Sequence, residues 1–118
     1  MSYVDGFVLP VPKKNLDSYR RLATQASEIW KEHGALEYRE CVGEDLDTEG
    51  MGTTFPRALA VSPDETVVFA WIVYESREHR DQVNQKVMAD PRMSEMPEDM
   101  PFDVDRMLYG GFEAIVEA

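Results

Sequence analysis

The sequence predicts an α+β fold, a ferredoxin-like split βαβ sandwich in which an antiparallel sheet carries two helices on one face. Two observations support this class. Segments of strand and helix character follow one another in the order strand, helix, strand, strand, strand, helix, strand, and the main helical segment has one apolar side. With 118 residues and 43% hydrophobic content, the chain is long enough for one domain, residues 1–118, with a single core.

The strongly acidic composition limits the classes of partner. Acidic residues outnumber basic ones by 23 to 12, which gives a formal net charge of −11 at pH 7. Such a surface repels phosphate backbones and no basic stripe offsets the repulsion, so we expect no nucleic-acid partner. No apolar run approaches the ~18 residues of a membrane-spanning helix, and the N-terminus lacks the pattern of a secretory signal. We therefore expect a cytoplasmic protein with no membrane partner.

The first part of the chain predicts a strand, a helix and a second strand. Residues 3–11 are mostly β-branched or aromatic, and Pro10 and Pro12 lie at their end, which is typical of a strand that stops there. A helix is predicted over 16–33, with Asn15 as its N-cap and Gly34 just beyond its end. The apolar stripe of this helix comprises Leu16, Tyr19, Ala23, Ala26, Trp30 and His33. The alternating stretch 35–42 predicts the second strand.

The middle of the chain predicts a loop and a hairpin. Residues 43–55 are rich in glycine and acidic residues, which predicts an exposed loop. Two apolar runs follow, 56–61 and 66–74, and between them lies Ser62-Pro63-Asp64-Glu65, a type I turn signature. We therefore predict that these runs form a hairpin, with 66–74 as the strongest strand of the chain.

The last part of the chain predicts a second helix and a final strand. Ser76 is the predicted N-cap of a helix over 77–89. The predicted inner face of this helix comprises Val83, Val87 and Met88. The prolines and acidic residues of 90–105 exclude a continuing helix or a central strand, and 106–116 returns to strand character around a Gly-Gly pair.

The alternation within the predicted strands indicates that both faces of the sheet are apolar. In 66–74, Val67, Phe69, Trp71 and Val73 point one way, whereas Val68, Ala70, Ile72 and Tyr74 point the other. Two helices can cover one face only, and a bare second face would expose roughly 500–600 Å² of apolar surface, near the upper limit for monomers. We therefore predict a homodimer in which the sheets of two copies stack face to face.

Cysteine and histidine offer little support for metal or covalent chemistry. Cys41 is the single cysteine, so the chain can form neither an intrachain disulfide nor a thiolate metal cluster. His33 and His79 lie far apart in sequence, and His33 is expected to cap the end of the first helix. No catalytic triad order, phosphate-binding glycine loop or paired-cysteine spacing is present. We therefore expect no cofactor and assign no metal ligand.

Four separated blocks of the sequence carry a family resemblance. They read YVDGFV at 3–8, ETVVFAWI at 65–72, VMADPRM at 87–93, and MPFD at 100–103 followed by RMLYGGF at 106–112. In these blocks the chain resembles the small bacterial proteins of domain-of-unknown-function family 1428, over nearly its whole length. The resemblance implies a dimeric α+β barrel and no established activity. Families of the same architecture include cofactor-independent oxygenases, small isomerases and haem-degrading enzymes, an analogy that rests on the fold alone.

Asp5 is the strongest candidate for a catalytic residue, because it is a carboxylate within an apolar strand expected near the centre of the sheet. A structural interpretation pairs it with an arginine, for which the candidates are Arg39, Arg57 and Arg106, or with backbone groups near Gly6. A functional interpretation makes it a general base or a ligand-orienting acid. His33 is the second candidate for proton transfer.

Aromatic residues are the candidates for ligand binding. Trp71, Tyr74 and Tyr109 either pack in the core or form the walls of a cleft between sheet and helices. Polar contacts to a ligand in that cleft could come from His33, Tyr38 and Arg106. The methionine- and proline-rich residues 93–102 either form a lid over such a cleft, or cover the end of the sheet or a partner subunit.

Three functions are consistent with these features. The first is an enzyme that holds a small apolar or aromatic molecule between helices and sheet, with proton transfer by Asp5 or His33. The second is a dimer that binds such a molecule without catalysis, and the third is a structural interaction module. A cavity with convergent polar groups favours the first, and a wholly apolar cavity favours the second. Solid packing between helices and sheet favours the third.

Overall fold

The computed structural model describes residues 1–48, 50 and 52–118, and it contains one four-stranded sheet with helices. The strands are β1 (Tyr3–Pro12), β2 (Glu37–Val42), β3 (Glu65–Tyr74) and β4 (Leu108–Glu113). The helices are α1 (Leu16–Glu32), α2 (Phe55–Ala58) and α3 (Arg77–Met88). Single 3₁₀ turns occupy Lys13–Asn15, Pro91–Glu95 and Val104–Arg106. The predicted α+β class is confirmed.

The sheet is antiparallel throughout, with the strand order β2-β3-β1-β4. In the central pair, Asp5 lies opposite Ile72 and Leu9 lies opposite Val68. Because side chains alternate along a strand, Asp5, Leu9, Val68, Ile72 and their alternate neighbours share one face. Side chains from α1 and α3 form the core with this face, as predicted for two helices on one side of the sheet.

Helix α1 packs against the sheet through its apolar stripe, and Tyr19 and Ile29 are buried there. Gly34 follows the helix with a φ of +116°, a conformation that favours glycine, so its predicted place is confirmed. The prediction for Asn15 is only half right. It occupies the N-cap position, but its side chain makes no capping bond and instead donates to the Pro101 carbonyl oxygen at 3.3 Å.

The predicted hairpin over 56–61 and 66–74 is wrong in its first arm. The short helix α2 occupies that region, because the Thr54 hydroxyl accepts a hydrogen bond from the Arg57 amide and Pro56 suits the first helical turn. The turn that follows is present, since the Glu65 amide donates to the Ser62 carbonyl oxygen at 3.0 Å. The apolar composition of 56–61 favoured a strand, but the Thr54 cap and Pro56 favour a helical turn there.

Helix α3 begins as predicted, because the Ser76 hydroxyl accepts a hydrogen bond from the His79 amide. Val83 and Val87 are buried on its inner face. Met88, which we also predicted on that face, is 64% exposed, because it lies one position beyond Val87 and points away from the sheet.

The second face of the sheet is apolar and uncovered over much of its area, and we call it the open sheet face. Its side chains include Val4, Val8, Phe69, Trp71, Leu108 and Phe112. Phe69 is 44% exposed, Leu108 55% and Phe112 62%. Phe55 of α2 covers part of the face, with its ring edge-on to Phe69 at a centroid distance of 6.1 Å.

Two further predictions concern the surface of the protein. Within the described part of the chain, no helix combines the length and the apolarity needed to cross a membrane. The loop predicted over 43–55 follows β2 and reaches the first residue of α2. Its described positions contain no strand, and helical structure begins only at Phe55. Glu49 and Met51 of that predicted loop lie outside the described residues.

Candidate functional site

A cavity of about 330 Å³ lies between α1 and the sheet, and we call it the methionine cavity. Helix α1 contributes one wall, formed by Tyr19, Leu22, Ala23, Ala26 and Trp30. The segment between α3 and β4 contributes a second wall, formed by Met93, Met96, Met100, Phe102 and Met107. The sheet closes the cavity, mainly with Phe7, Leu9, Tyr38, Glu40, Ala70 and Ile72.

The cavity has this shape because small residues lie where α1 faces the sheet. Ala23 and Ala26 carry only a methyl group, so the helix leaves space above Ala70, another alanine. The methionines reach this space from a segment whose prolines prevent it from forming a regular helix. Their thioethers can adapt to an irregular apolar volume. Helix, sheet and segment together therefore border a partly open space suited to an apolar molecule.

Glu40 is the charged residue among the described residues that border the methionine cavity. It lies on β2, on the same face as Tyr38, because the two are separated by one residue. One carboxylate oxygen of Glu40 accepts a hydrogen bond from the Tyr19 phenol at 2.5 Å, and the other accepts one from the Tyr38 phenol at 2.8 Å. A helix and a strand thus place two phenols on one carboxylate.

The electrostatics of this group keep both phenols protonated. Burial, and after it the charge of Glu40, raises the pKa of Tyr19 above the ordinary phenol value. The same two causes raise the pKa of Tyr38. Both side chains therefore remain hydrogen-bond donors to the carboxylate at neutral pH.

The same three polar residues also border a second, more open cavity of about 310 Å³, which we call the outer groove. The outer groove is lined in addition by polar side chains that include Arg20, Thr24 and Ser27. Glu40, Tyr19 and Tyr38 thus lie where an apolar space and a polar one meet. Tyr38 was predicted as a site residue from the sequence, whereas Glu40 and Tyr19 were missed. The available signal was the pair Tyr38 and Glu40 at alternate positions of a half-buried strand.

Asp5 lies outside the methionine cavity, in a separate buried ion pair. Its carboxylate accepts a hydrogen bond from Arg80 Nη1 of α3 at 2.6 Å, and the residue is 2% exposed. None of the three arginines considered from the sequence is the partner, because α3 brings Arg80 over the sheet where Asp5 points. Burial raises the pKa of Asp5 more than the Arg80 guanidinium lowers it.

Tyr74 and Tyr109 lie beside this ion pair. Tyr74 is fully buried, and its hydroxyl has no hydrogen-bond partner among the described residues. Tyr109 stacks on Phe7 at a centroid distance of 4.9 Å and is 55% exposed. Burial, and after it the Asp5 carboxylate, raises the pKa of both phenols. The structure therefore brings Asp5, Tyr74 and Tyr109 together, but none of the three lines the methionine cavity.

The remaining candidate residues are dispersed. His33 Nε2 lies 2.8 Å from the Asp90 carboxylate, at the end of α1. Arg106 binds the Glu65 carboxylate at 2.5 Å and the Asp103 carboxylate at 2.8 Å, and it donates to the Ala60 carbonyl oxygen. Both residues connect segments of the chain and do not line the methionine cavity.

Trp71 borders the methionine cavity but belongs to the opposite face of the sheet. Its indole nitrogen donates to Glu37 at 3.1 Å, and its ring lies 5.6 Å from that of Phe69 on the open sheet face. The Arg39 guanidinium lies 5.9 Å from its centroid. Among the described residues, no group of three or more His, Cys, Asp and Glu side chains is arranged to hold a metal ion.

Comparisons with known proteins agree with the fold and give a family. The model of the family described as "Protein of unknown function (DUF1428)" matches residues 2–104. The "Uncharacterized protein YbaA" of Escherichia coli K12 is 50% identical over 117 residues, which cover 99% of each chain, and that of Shigella flexneri matches equally.

A solved structure shares the architecture at low sequence identity. It is an uncharacterized NIPSNAP domain protein from Burkholderia xenovorans, with a TM-score of 0.62 and 14% identity, and the match covers 98% of this chain and 97% of that one. This likeness shows the α+β fold and nothing about activity. The family match and the 50% identity lead to a firmer conclusion: the chain belongs to domain-of-unknown-function family 1428.

Proposed function

We propose that the protein binds a small apolar or aromatic molecule in the methionine cavity, between the helices and the sheet. The observation that carries the proposal is the cavity itself, about 330 Å³ of space bordered almost entirely by aliphatic, aromatic and methionine side chains. This volume falls at the lower end of the range for small-molecule sites. A ligand that fills this space removes apolar side chains from water and gains dispersion contacts with them.

The cavity favours binding over catalysis. Proton transfer was predicted for Asp5 or His33, but the first pairs with Arg80 and the second with Asp90, both outside the cavity. Glu40 borders the cavity, but both of its oxygens accept hydrogen bonds from tyrosines. We therefore propose ligand binding without catalysis, and keep acid/base chemistry at Glu40 as the alternative.

Residues 93–102 supply a movable cover in this proposal. Met93, Met96 and Met100 border the cavity, and the segment has no regular helix or strand beyond a 3₁₀ turn. Few backbone hydrogen bonds would have to break for such a segment to open. Its role as a lid stays a prediction.

We also propose that two copies associate through the open sheet face. Phe69 of β3 and Leu108 and Phe112 of β4 expose large apolar side chains around a shallow depression of about 440 Å³. An exposed apolar face of this kind is most simply covered by a two-fold-related copy, whose identical face meets it. A cytoplasmic location is part of the same proposal, because the lone Cys41 suits a reducing compartment.

Equilibrium dialysis with 2-naphthol tests ligand binding. We expect saturable binding by the unmodified protein, and at least about tenfold weaker binding by Ala26→Phe, whose ring would occupy the cavity. The control is Gln25→Phe, which adds the same ring at an exposed position of α1. Equal binding by both variants would place the ligand elsewhere, and absence of saturable binding by the unmodified protein would end the proposal for this ligand class.

A further inference from the structure

The described side chains that line the methionine cavity can accept hydrogen bonds from a ligand but have none to donate. Among the residues that the structure describes, four side chains with N–H or O–H groups border it, namely Tyr19, Trp30, Tyr38 and Trp71. The two phenols donate to Glu40, the Trp30 indole to Asn84 Oδ1 at 3.3 Å, and the Trp71 indole to Glu37. Each phenol and each indole has a single polar hydrogen, so these side chains have no donor left for a ligand.

The acceptors of the same cavity are not exhausted. Each carboxylate oxygen of Glu40 can accept more than the one hydrogen bond it receives, and each phenol oxygen retains acceptor capacity. These oxygens form one hydrogen-bonded group in a lining that is otherwise mostly apolar. These side chains can therefore only accept hydrogen bonds from a ligand. The surroundings are partly buried, and there an ionised acceptor such as a carboxylate forms the stronger type of hydrogen bond.

We infer that the ligand of the methionine cavity has an apolar body and a hydrogen-bond donor, such as a hydroxyl or amine, that is received by Glu40. This inference rests on the proposed function and narrows its ligand class. A carboxylate ligand is disfavoured twice, because Glu40 repels its charge and the side chains lining the cavity have no free donor for it. An ether or ketone fits the volume but finds no free donor among the described side chains that line the cavity.

Three probes of one scaffold test the inference on the unmodified protein. 2-Naphthol has a donor, 2-methoxynaphthalene has only an acceptor, and 2-naphthoate has a negative charge. In equilibrium dialysis we expect 2-naphthol to bind about tenfold more tightly than 2-methoxynaphthalene, and 2-naphthoate to bind more weakly than either. Because this comparison uses no variant, it does not depend on whether a mutant folds.

A pair of variants assigns the preference to one side chain. Glu40→Gln removes the charge and introduces donors, so the preference for 2-naphthol over 2-methoxynaphthalene should fall to within about twofold. Glu28→Gln is the matched control, an exposed carboxylate of α1 outside the lining of the methionine cavity, and should keep the full preference.

The outcomes separate this inference from the proposed function. Equal binding of 2-naphthol and 2-methoxynaphthalene, with Ala26→Phe still weakening both, overturns the donor requirement and leaves the apolar site in place. Tightest binding by 2-naphthoate, or a preference unchanged in Glu40→Gln, also overturns the assignment to Glu40. Binding of none of the three probes overturns the site and the inference together.

Discussion

The Asp5 carboxylate and the Arg80 guanidinium lie 2.6 Å apart, although 75 positions separate the two residues in the sequence. Asp5 projects from a central strand and Arg80 reaches it from α3, with side-chain exposures of 3% and 13%. The guanidinium also lies 5.0 Å from the centroid of the Tyr3 ring. One ion pair thus fixes α3 over the end of the sheet near Tyr3.

Replacing Arg80 should destabilise the protein strongly. Arg80→Leu leaves a carboxylate buried without its partner, and the loss of one member of a buried pair typically costs about 3–5 kcal/mol. Urea denaturation should show this loss at neutral pH. Arg77→Leu, an exposed position on the same helix, should stay within about 0.5 kcal/mol of the parent protein.

The deficit of Arg80→Leu should depend on pH. Burial raises the pKa of Asp5 above 3.8, so the folded state holds this proton more tightly than the unfolded state. Stability from such a group is present below the unfolded pKa and is lost as pH rises through the folded pKa. Without Arg80 the pKa should rise further. The deficit should therefore be smaller near pH 4.5 than near pH 7.5, and a deficit independent of pH would argue against a buried unpaired carboxylate.

Arg106 and Glu65 should show the opposite pH dependence. The hydrogen bond from Arg106, followed by that from the Ser62 amide, lowers the pKa of Glu65 from 4.5 to about 2. The stability that the ionised Glu65 contributes to the folded state is fully present above its unfolded pKa of 4.5. It is lost as the pH falls toward its folded pKa of about 2. Arg106→Lys should lower the Tm by a few degrees at pH 7, because lysine cannot bind two carboxylates and a carbonyl in one plane.

Thermal scans across pH test this pair. The difference in Tm between Arg106→Lys and the parent should shrink as the pH approaches 3, where Glu65 begins to take up its proton in the variant. Arg77→Lys serves as the control and should follow the parent at every pH. A difference that grows in acid would contradict the assignment.

The two adjacent glycines of β4 should respond differently to alanine. A Cβ on Gly111 would lie 2.8 Å from Tyr3 Cζ, whereas a Cβ on Gly110 would meet its nearest neighbour, Phe112 Cε1, at 3.5 Å. Gly111→Ala must therefore displace a tyrosine ring and should cost about 1–3 kcal/mol, as overpacking does. Gly110→Ala makes an ordinary contact and should cost less. Denaturant titrations of the two variants compare them directly, and equal costs would show that the Tyr3 ring moves freely.

The proposed dimer makes a prediction about the open sheet face. Phe112→Glu places a charge on that face and should give a species of 13.5 kDa in sedimentation equilibrium at micromolar concentration, whereas the parent should sediment at twice that mass. Ile115→Glu is the control, since Ile115 is 84% exposed and follows β4. A parent protein that sediments as a monomer would reject the dimer.

Local patterns in the sequence were sufficient for the elements that depend on neighbouring residues. The spacing of apolar residues predicted the end of α1 to within one residue, and the capping residue Ser76 predicted the start of α3. The alternation of side chains along β3 predicted that Phe69 and Ile72 lie on opposite faces of the sheet. Helix α2 was missed because one capping hydroxyl and a proline outweighed the apolar propensity of the residues after it. A cleft between helices and sheet was predicted from the sequence, and the methionine cavity lies there; of its lining, Tyr38, Trp71 and the segment 93–102 were named in advance.

By itself, then, the sequence determined the α+β class, the order of the main strands and helices, and an apolar surface on both sides of the sheet. Tertiary structure alone decided that Arg80 is the partner of Asp5, and that Tyr19 and Tyr38 share the Glu40 carboxylate. The physical reason is the separation along the chain over which each interaction acts. Periodicity and capping act between residues a few positions apart, whereas a hydrogen bond between distant segments depends on how the helices pack on the sheet, which no local pattern records.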